Sequence, residues 1–148
     1  MKARELMTPN PQVCTSDDRI IDAARIMRDD DVGSLPVVDD SGTNRLVGIV
    51  TDRDIVVGPL ADALFTATVG DAMTPNPKTV RANDDVREVE RTMSENQVRR
   101  IPVVDELGSL VGMIAQADLA LSSRDVTDRE VGQVVEEISR PTDGGARS

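Results

Sequence analysis

The chain has 148 residues, 27 acidic against 17 basic side chains and a formal net charge of −10, and its length suits one compact domain with its own core. That charge, with one Phe and neither Tyr nor Trp, argues against nucleic-acid binding, because it repels phosphate backbones and offers no stacking platform. One cysteine, Cys14, and no histidine exclude an internal disulfide, a Cys-type zinc site and any catalysis that runs through an imidazole.

The start, MKARELMTPNP, has no apolar leader, and no run approaches the roughly 18 apolar residues of a membrane span. A cytoplasmic protein is expected, consistent with a lone thiol. MTPNP at 7–11 returns at 73–77, and with that offset positions 7–43 and 73–109 are identical at 14 of 37 places, among them Asp18/Asp84, Arg25/Arg91, Met27/Met93 and Pro36/Pro102. Such self-similarity marks a duplicated structural unit. After the loop the offset falls from 66 to 64, so the first copy carries two extra residues around Thr43 to Arg45, inside a predicted hairpin turn.

Each copy reads in one order. Gln12 to Thr15 and Lys78 to Arg81 are short extended segments behind X-Pro punctuation. Helices follow, with Ile20, Ala24 and Met27 at i, i+4, i+7 and Val86, Val89 and Met93 at i, i+3, i+7; Asp85 with Glu88 suits a capped start. LPVVD (35–39) and IPVVD (101–105), then LVGIV and LVGMI, are β-branched runs joined by a Gly-containing turn, and predict strand pairs buried on both faces. A short helix begins near Asp52 and stops at Gly58-Pro59. The copies are thus βαββα units in an α/β protein.

Between them, LADALFTATVGDAM predicts a helix, with Thr68 to Asp71 resembling a cap. Beyond the second copy, Thr127 to Glu130 is a capping box, followed by the apolar stripe Val131, Val134, Val135, Ile138. That stripe suits a helix packed on its own domain or a dimer contact. The expected boundaries are 1–67 for the first repeat with its linker helix, 68–122 for the second, 123–140 for a C-terminal helix and 141–148 for a disordered tail.

Two copies of MTPNP, helix, h-P-V-V-D and L-V-G-h-h with an Asp at the next turn resemble tandem CBS domains (cystathionine β-synthase repeats), two of which form a Bateman module. The resemblance covers about residues 1–122 and is similar to small stand-alone CBS-pair proteins of the actinobacterial hypoxic or stress response. It implies two repeats packed with pseudo-two-fold symmetry, clefts between them, and frequent pairing into a disc-shaped homodimer. It also implies a regulatory sensor, not an enzyme, for adenosine-containing ligands: AMP, ADP, ATP, S-adenosylmethionine or NAD-type molecules. No cofactor is obligatory, and a module without a fused effector acts on a protein partner in trans. The competing function is a ligand-free homodimeric stress or interaction protein.

Candidate ligand residues follow from the same motif. Asp54 and Asp118 would bind ribose hydroxyls, for which an acceptor-only carboxylate with two oxygens is suited. Thr51 lies nearby, yet Thr-x-x-Asp is also a helix capping box. In the second copy Ala115 replaces Thr51 while Asp118 remains, which favours the ribose role. Arg53, Arg99 and Arg100 are candidate phosphate contacts through a permanently charged fork. The first copy instead has Asp29-Asp30-Asp31 and then Val32-Gly33-Ser34, a run that disfavours polyphosphate. Val13 and Thr79 are placed at the adenine pocket by the resemblance, with Pro36 and Pro102 as strand-edge or bulge prolines beside it. Cys14, matching Val80, is expected to be buried and inert. Asp17-Asp18 and Asp39-Asp40 lack a metal-ligand spacing, and no catalytic constellation is present.

Overall fold

The computed structural model describes residues 1–39 and 42–120. The predicted C-terminal helix, the tail and Asp40 lie outside the described residues. The elements are helix α1 (Ala3–Leu6), β1 (Thr8–Pro9), β2 (Cys14–Thr15), α2 (Ile20–Asp30), β3 (Ser34–Val38), β4 (Leu46–Thr51), α3 (Asp52–Ile55), α4 (Val69–Ala72), β5 (Thr74–Pro75), β6 (Val80–Arg81), α5 (Val86–Asn96), β7 (Arg100–Val104) and β8 (Leu110–Ala115). Residues 116–120 are again helical. Two four-stranded sheets result, ordered β2-β3-β4-β5 and β1-β8-β7-β6.

The described residues divide into two compact units, Asn10–Pro77 with Val104–Val111, and Met1–Pro9 with Lys78–Val103 and residues 112–120. MTPNP explains this division. In the first unit β5 pairs antiparallel with β4, Gly48 opposite Pro75 and Ile49 opposite Thr74. In the second, β1 pairs with β8, Thr8 opposite Met113 and Pro9 opposite Gly112. Each sheet is therefore closed by the Thr-Pro strand that precedes the other repeat in sequence. A Pro at such an edge sacrifices no ladder donor that the sheet needs. The following asparagines, Asn10 and Asn76, adopt left-handed φ of 48° and 51°, a conformation that Asn tolerates better than most residues. Their N–H groups close the turn on Val111 and Val47 carbonyls at 3.3 and 3.2 Å.

Within the first unit β2 runs parallel to β3 and β3 antiparallel to β4. Cys14, Ile20, Ala23, Met27, Leu35, Val37, Val50, Ile55 and Val69 form one buried cluster. The buried stripe of α2 is Ile20, Ala23 and Met27; Ala24, expected inside, is exposed. Positions 23 and 24 straddle the same 3.6-residue stripe, and Ala24 falls on its rim in a shallow apolar groove with Ile21, Leu60 and Phe65. In the second unit Val80, Val89, Ile101, Val103 and Ile114 are at most 2% exposed, so both strands of the repeated pair carry the core, as their apolar runs predict.

Both long helices end on a left-handed residue, Asp31 at φ 54° and Gln97 at φ 53°. The next amides, Val32 and Val98, return to Met27 and Met93 carbonyls at 3.0 and 3.1 Å, which satisfies helix-end acceptors. The two-residue insertion also has a visible use: Asn44 Nδ2 donates to the Leu110 carbonyl at 2.7 Å and Ser109 Oγ to that of Thr43 at 2.9 Å.

A second expectation changes. The helix expected across Leu60–Met73 is confined to α4. Ahead of it the chain widens into a π-type turn at Val56–Leu60, broken at Gly58. The Pro59 carbonyl then accepts the Asp62 and Leu64 amides, and Ala63 turns left-handed at φ 60°. Pro59 lacks a donor, and the β-branched Thr66 and Thr68 favour extended backbone. Pro36, expected at an edge or bulge, sits opposite Ile49, just ahead of a register shift between Val37 and Val38. The β2 ladder starts only at Val37, one residue later, so the missing N–H costs no pairing.

Candidate functional site

The candidate site in each unit is the corner where the last repeated strand enters a helix. In the first unit β3 and β4 put Ser34 opposite Thr51. The Gly33 carbonyl accepts the Asp52 amide at 2.9 Å, and the Arg99 carbonyl accepts that of Gln116 at 2.7 Å. The same backbone bond thus fixes both corners.

Thr51 and Asp54 form a reciprocal box: Asp54 Oδ2 accepts the Thr51 amide at 3.0 Å and Thr51 Oγ1 accepts the Asp54 amide at 3.0 Å. In the second unit Ala115 cannot return the bond, yet Asp118 Oδ2 still accepts the Ala115 amide at 2.8 Å. Losing the hydroxyl therefore did not release this carboxylate from capping, and the retained Asp has a structural role in both corners. The same i to i+3 bond recurs at Thr15–Asp18, Thr68–Asp71 and Arg81–Asp84, where a carboxylate oxygen organises the turn. At Asp54 and Asp118 only Oδ2 is so engaged, and Oδ1 makes no hydrogen bond among the described residues. One carboxylate oxygen remains an acceptor for a ligand.

Other candidates are dispersed. Arg53 is exposed, its amide held by Asp52 Oδ1 at 2.7 Å. Val13 is half-buried just before β2, and Thr79 is exposed just before β6. Pro36 and Pro102 are buried. The arginine pair separates, since successive residues of extended chain point to opposite faces. Arg99 lines a cleft of about 610 Å³ with Gln97 and Ser94 of the α5 end and Gln116 and Leu119 beyond β8. Arg100, half-buried at the start of β7, does not line it, nor does Asp118.

The expectation missed one residue. Ser34 Oγ is buried and has no hydrogen-bond partner among the described residues, an uncommon state for a native hydroxyl. Nothing in the sequence marks it, since its isolation arises only from the register that sets it against Thr51. Cys14 behaves as expected: 2% exposed, it directs Sγ toward the Pro36 carbonyl at 3.8 Å. Burial, reinforced by the Asp18 charge, pushes its thiol up to about 12.

Comparison with known proteins places this geometry. The CBS domain family matches residues 3–58 and 69–125. The chain is 40% identical over 139 residues to YlbB of Bacillus subtilis, covering 93% of this chain and 91% of that one. It is 37% identical over 141 residues to hypoxic response protein 1 of Mycobacterium tuberculosis, covering 94% of each. Among solved structures, hypoxic response protein I with two coordinated zinc ions superposes with a TM-score of 0.74 at 38% identity, covering 82% of this chain and 98% of that one. CBSX2 in complex with AMP does so with 0.74 at 30% identity over 85% and 98%. The CBS pair of protein MJ0100, bound to 5′-methylthioadenosine and S-adenosyl-L-methionine, gives 0.71 at 28% identity over 83% and 95%. With two matched repeats and the fold in agreement, the chain belongs to the CBS domain family as a tandem CBS pair.

Proposed function

We propose that this protein is a regulatory module that takes an adenosine-containing ligand at its strand-to-helix corners. The observation that carries this reading is the Ser34 Oγ, unpartnered among the described residues and on the strand residue opposite Thr51, whose capping partner Asp54 keeps one carboxylate oxygen uncommitted. Together they offer a hydroxyl and an acceptor suited to a sugar diol. Support comes from relatives solved with AMP and with 5′-methylthioadenosine and S-adenosyl-L-methionine. The ribose would meet Asp54 or Asp118, with Val13, Pro36, Thr79 and Pro102 beside the base and Arg53, Arg99 or Arg100 available to phosphate.

Zinc, which one relative coordinates, does not fit the residues present. Zinc takes thiolate, imidazole and carboxylate donors; this chain has no histidine, its one thiol is buried and held protonated, and among the described residues no three acidic or cysteine side chains group closely enough to hold a metal ion.

A thermal-shift and calorimetry panel of AMP, ADP, ATP, S-adenosylmethionine and NADH tests the proposal. A ligand that binds only the native state raises stability by about 2.7 kcal/mol at a hundred-fold excess over Kd. No shift with any of them at millimolar concentration rejects the reading.

A homodimer is part of the proposal. Val56, Val57, Leu64 and Phe65 of the first unit are 54–64% exposed, and clustered apolar exposure marks association surfaces. Light scattering should give twice the 16.0 kDa chain mass; a monomer at micromolar concentration contradicts it. We infer a cytoplasmic protein acting on an effector in trans, and no helix among the described residues is long and apolar enough to cross a membrane.

A further inference from the structure

The first unit carries an apolar groove that the duplication does not explain. It runs between α2 and the chain that follows α3, has a volume of about 150 Å³, and is lined by Ile20, Ile21, Ala24, Ile55, Leu60 and Phe65. Ile21, Leu60 and Phe65 are exposed, and Val56, Val57 and Leu64 extend the exposed apolar surface around it. In the second repeat Arg87 and Glu90 stand at the places of Ile21 and Ala24, and Arg124 and Arg129 at those of Leu60 and Phe65. The cleft against α5 accordingly has Glu90, Ser94, Gln97, Arg99 and Gln116 in its walls. The apolar bed belongs to one repeat alone.

The sequence supplies a segment that fits this bed. Residues 121–148 lie outside the described residues, and the capping box at Thr127 to Glu130 precedes Val131, Val134, Val135 and Ile138 at i, i+3, i+4 and i+7. At helical spacing this stripe is about 10 Å long and wholly aliphatic. Glu130 and Glu137, seven residues apart, flank one edge of it. On α2, Arg25 and Arg28 continue the face of Ile21 and Ala24, each in an exposed pair, with Asp22 at 3.7 Å and with Asp29 at 2.9 Å, and such pairs exchange at little cost. Apolar stripe and acidic edge thus meet apolar groove and basic rim. Resting on the homodimer reading above, we propose that residues 127–140 of one copy seat this stripe in the Ile21, Leu60 and Phe65 groove of a second copy, and reciprocally. The occupant is a second copy because the exposed surface runs on over Val56, Val57 and Leu64, wider than one stripe. Two facing copies cover that remainder and use the contact twice, whereas a chain folded on itself leaves it in water.

Sedimentation equilibrium on the full chain tests the exchange, with Ala24→Glu in the groove and Val134→Glu in the stripe, apart and mixed. Ala24 is exposed on α2, and Ala24→Glu installs the residue that α5 carries as Glu90, so the fold is kept; Phe65→Glu, at the opposite wall, is the second groove variant, and circular dichroism checks all three. Each variant alone should raise the dimer dissociation constant about tenfold or more, since each spoils both copies of the contact. An equimolar mixture of Ala24→Glu and Val134→Glu chains should regain dimer, because the intact stripe of one meets the intact groove of the other. If Val134→Glu dimerises as tightly as the natural chain, the stripe is not the occupant and the homodimer reading stands. If both variants weaken the dimer and mixing restores none of it, the exchange between copies is wrong. A natural chain that is monomeric at micromolar concentration overturns the exchange and the homodimer together.

Discussion

Cys14 shows how one side chain can be read for both inertness and stability. Its ordinary thiol value of 9.0 rises to about 12 because burial disfavours the thiolate. Unfolding returns it to the ordinary value, so above about pH 9 the unfolded chain loses a proton that the folded chain keeps, and stability falls as pH rises toward 12. Below that window the group contributes no pH dependence. Cys14→Val, which copies Val80 of the other repeat, should remove this loss; at about pH 10.5 the natural chain should have given up on the order of 1–2 kcal/mol more than the variant. Urea melts from pH 8 upward measure it, and parallel curves for the two proteins would show that the thiol is not held neutral. Asp54 is the second residue-scale case. Asp54→Ala should cost about 0.5–2 kcal/mol as a lost cap, while Asp54→Asn keeps an acceptor and costs less. Equal losses in denaturant melts would mean that charge, and not the bond to Thr51, stabilises the corner.

Elements were legible where a period or a punctuation mark was present. The strands LPVVD and LVGIV, the stripes of α2 and α5, and the caps at Thr51, Thr68 and Asp85 follow from apolar spacing and side-chain chemistry. The segment after Pro59 did not, because its turn rests on backbone bonds to Pro59 that no side chain announces. The repeated Met of MTPNP was visible as a word but not as a contact. In the fold Met73 packs on Gly48, where a Cβ would stand 2.6 Å from its Sδ and 3.0 Å from the Thr74 carbonyl; Met7 does the same to Gly112. Glycine is needed there because the exchanged strand crosses closely, not for a special φ. Gly48→Ala should destabilise by about 1–3 kcal/mol as overpacking, and Met73→Ala in the same chain should recover part of that loss, since the two sites share one volume. A double variant as unstable as the sum of the single ones would separate the two positions.

At the scale of the molecule, duplication and composition said most about the family and least about the site. The repeat offsets and the two corner motifs were sufficient to expect a tandem CBS pair. They could not show that Asp118 keeps its capping bond without a threonine, that Arg99 and Arg100 diverge, or that Ser34 Oγ is left without a partner among the described residues; each depends on register and on which face of a strand a residue occupies. These details narrow the function. A carboxylate that caps with one oxygen and offers the other serves the turn and the ligand together, so removing it should separate binding from folding only partly. The most direct measurement is therefore calorimetric titration of the natural chain and of Asp54→Ala/Asp118→Ala with whichever adenosine compound gives the largest thermal shift. The double variant should remain folded and lose about 10- to 150-fold in affinity, the range for hydrogen bonds to a charged group. A folded double variant that binds as tightly as the natural chain would contradict the assignment of these corners to the ligand.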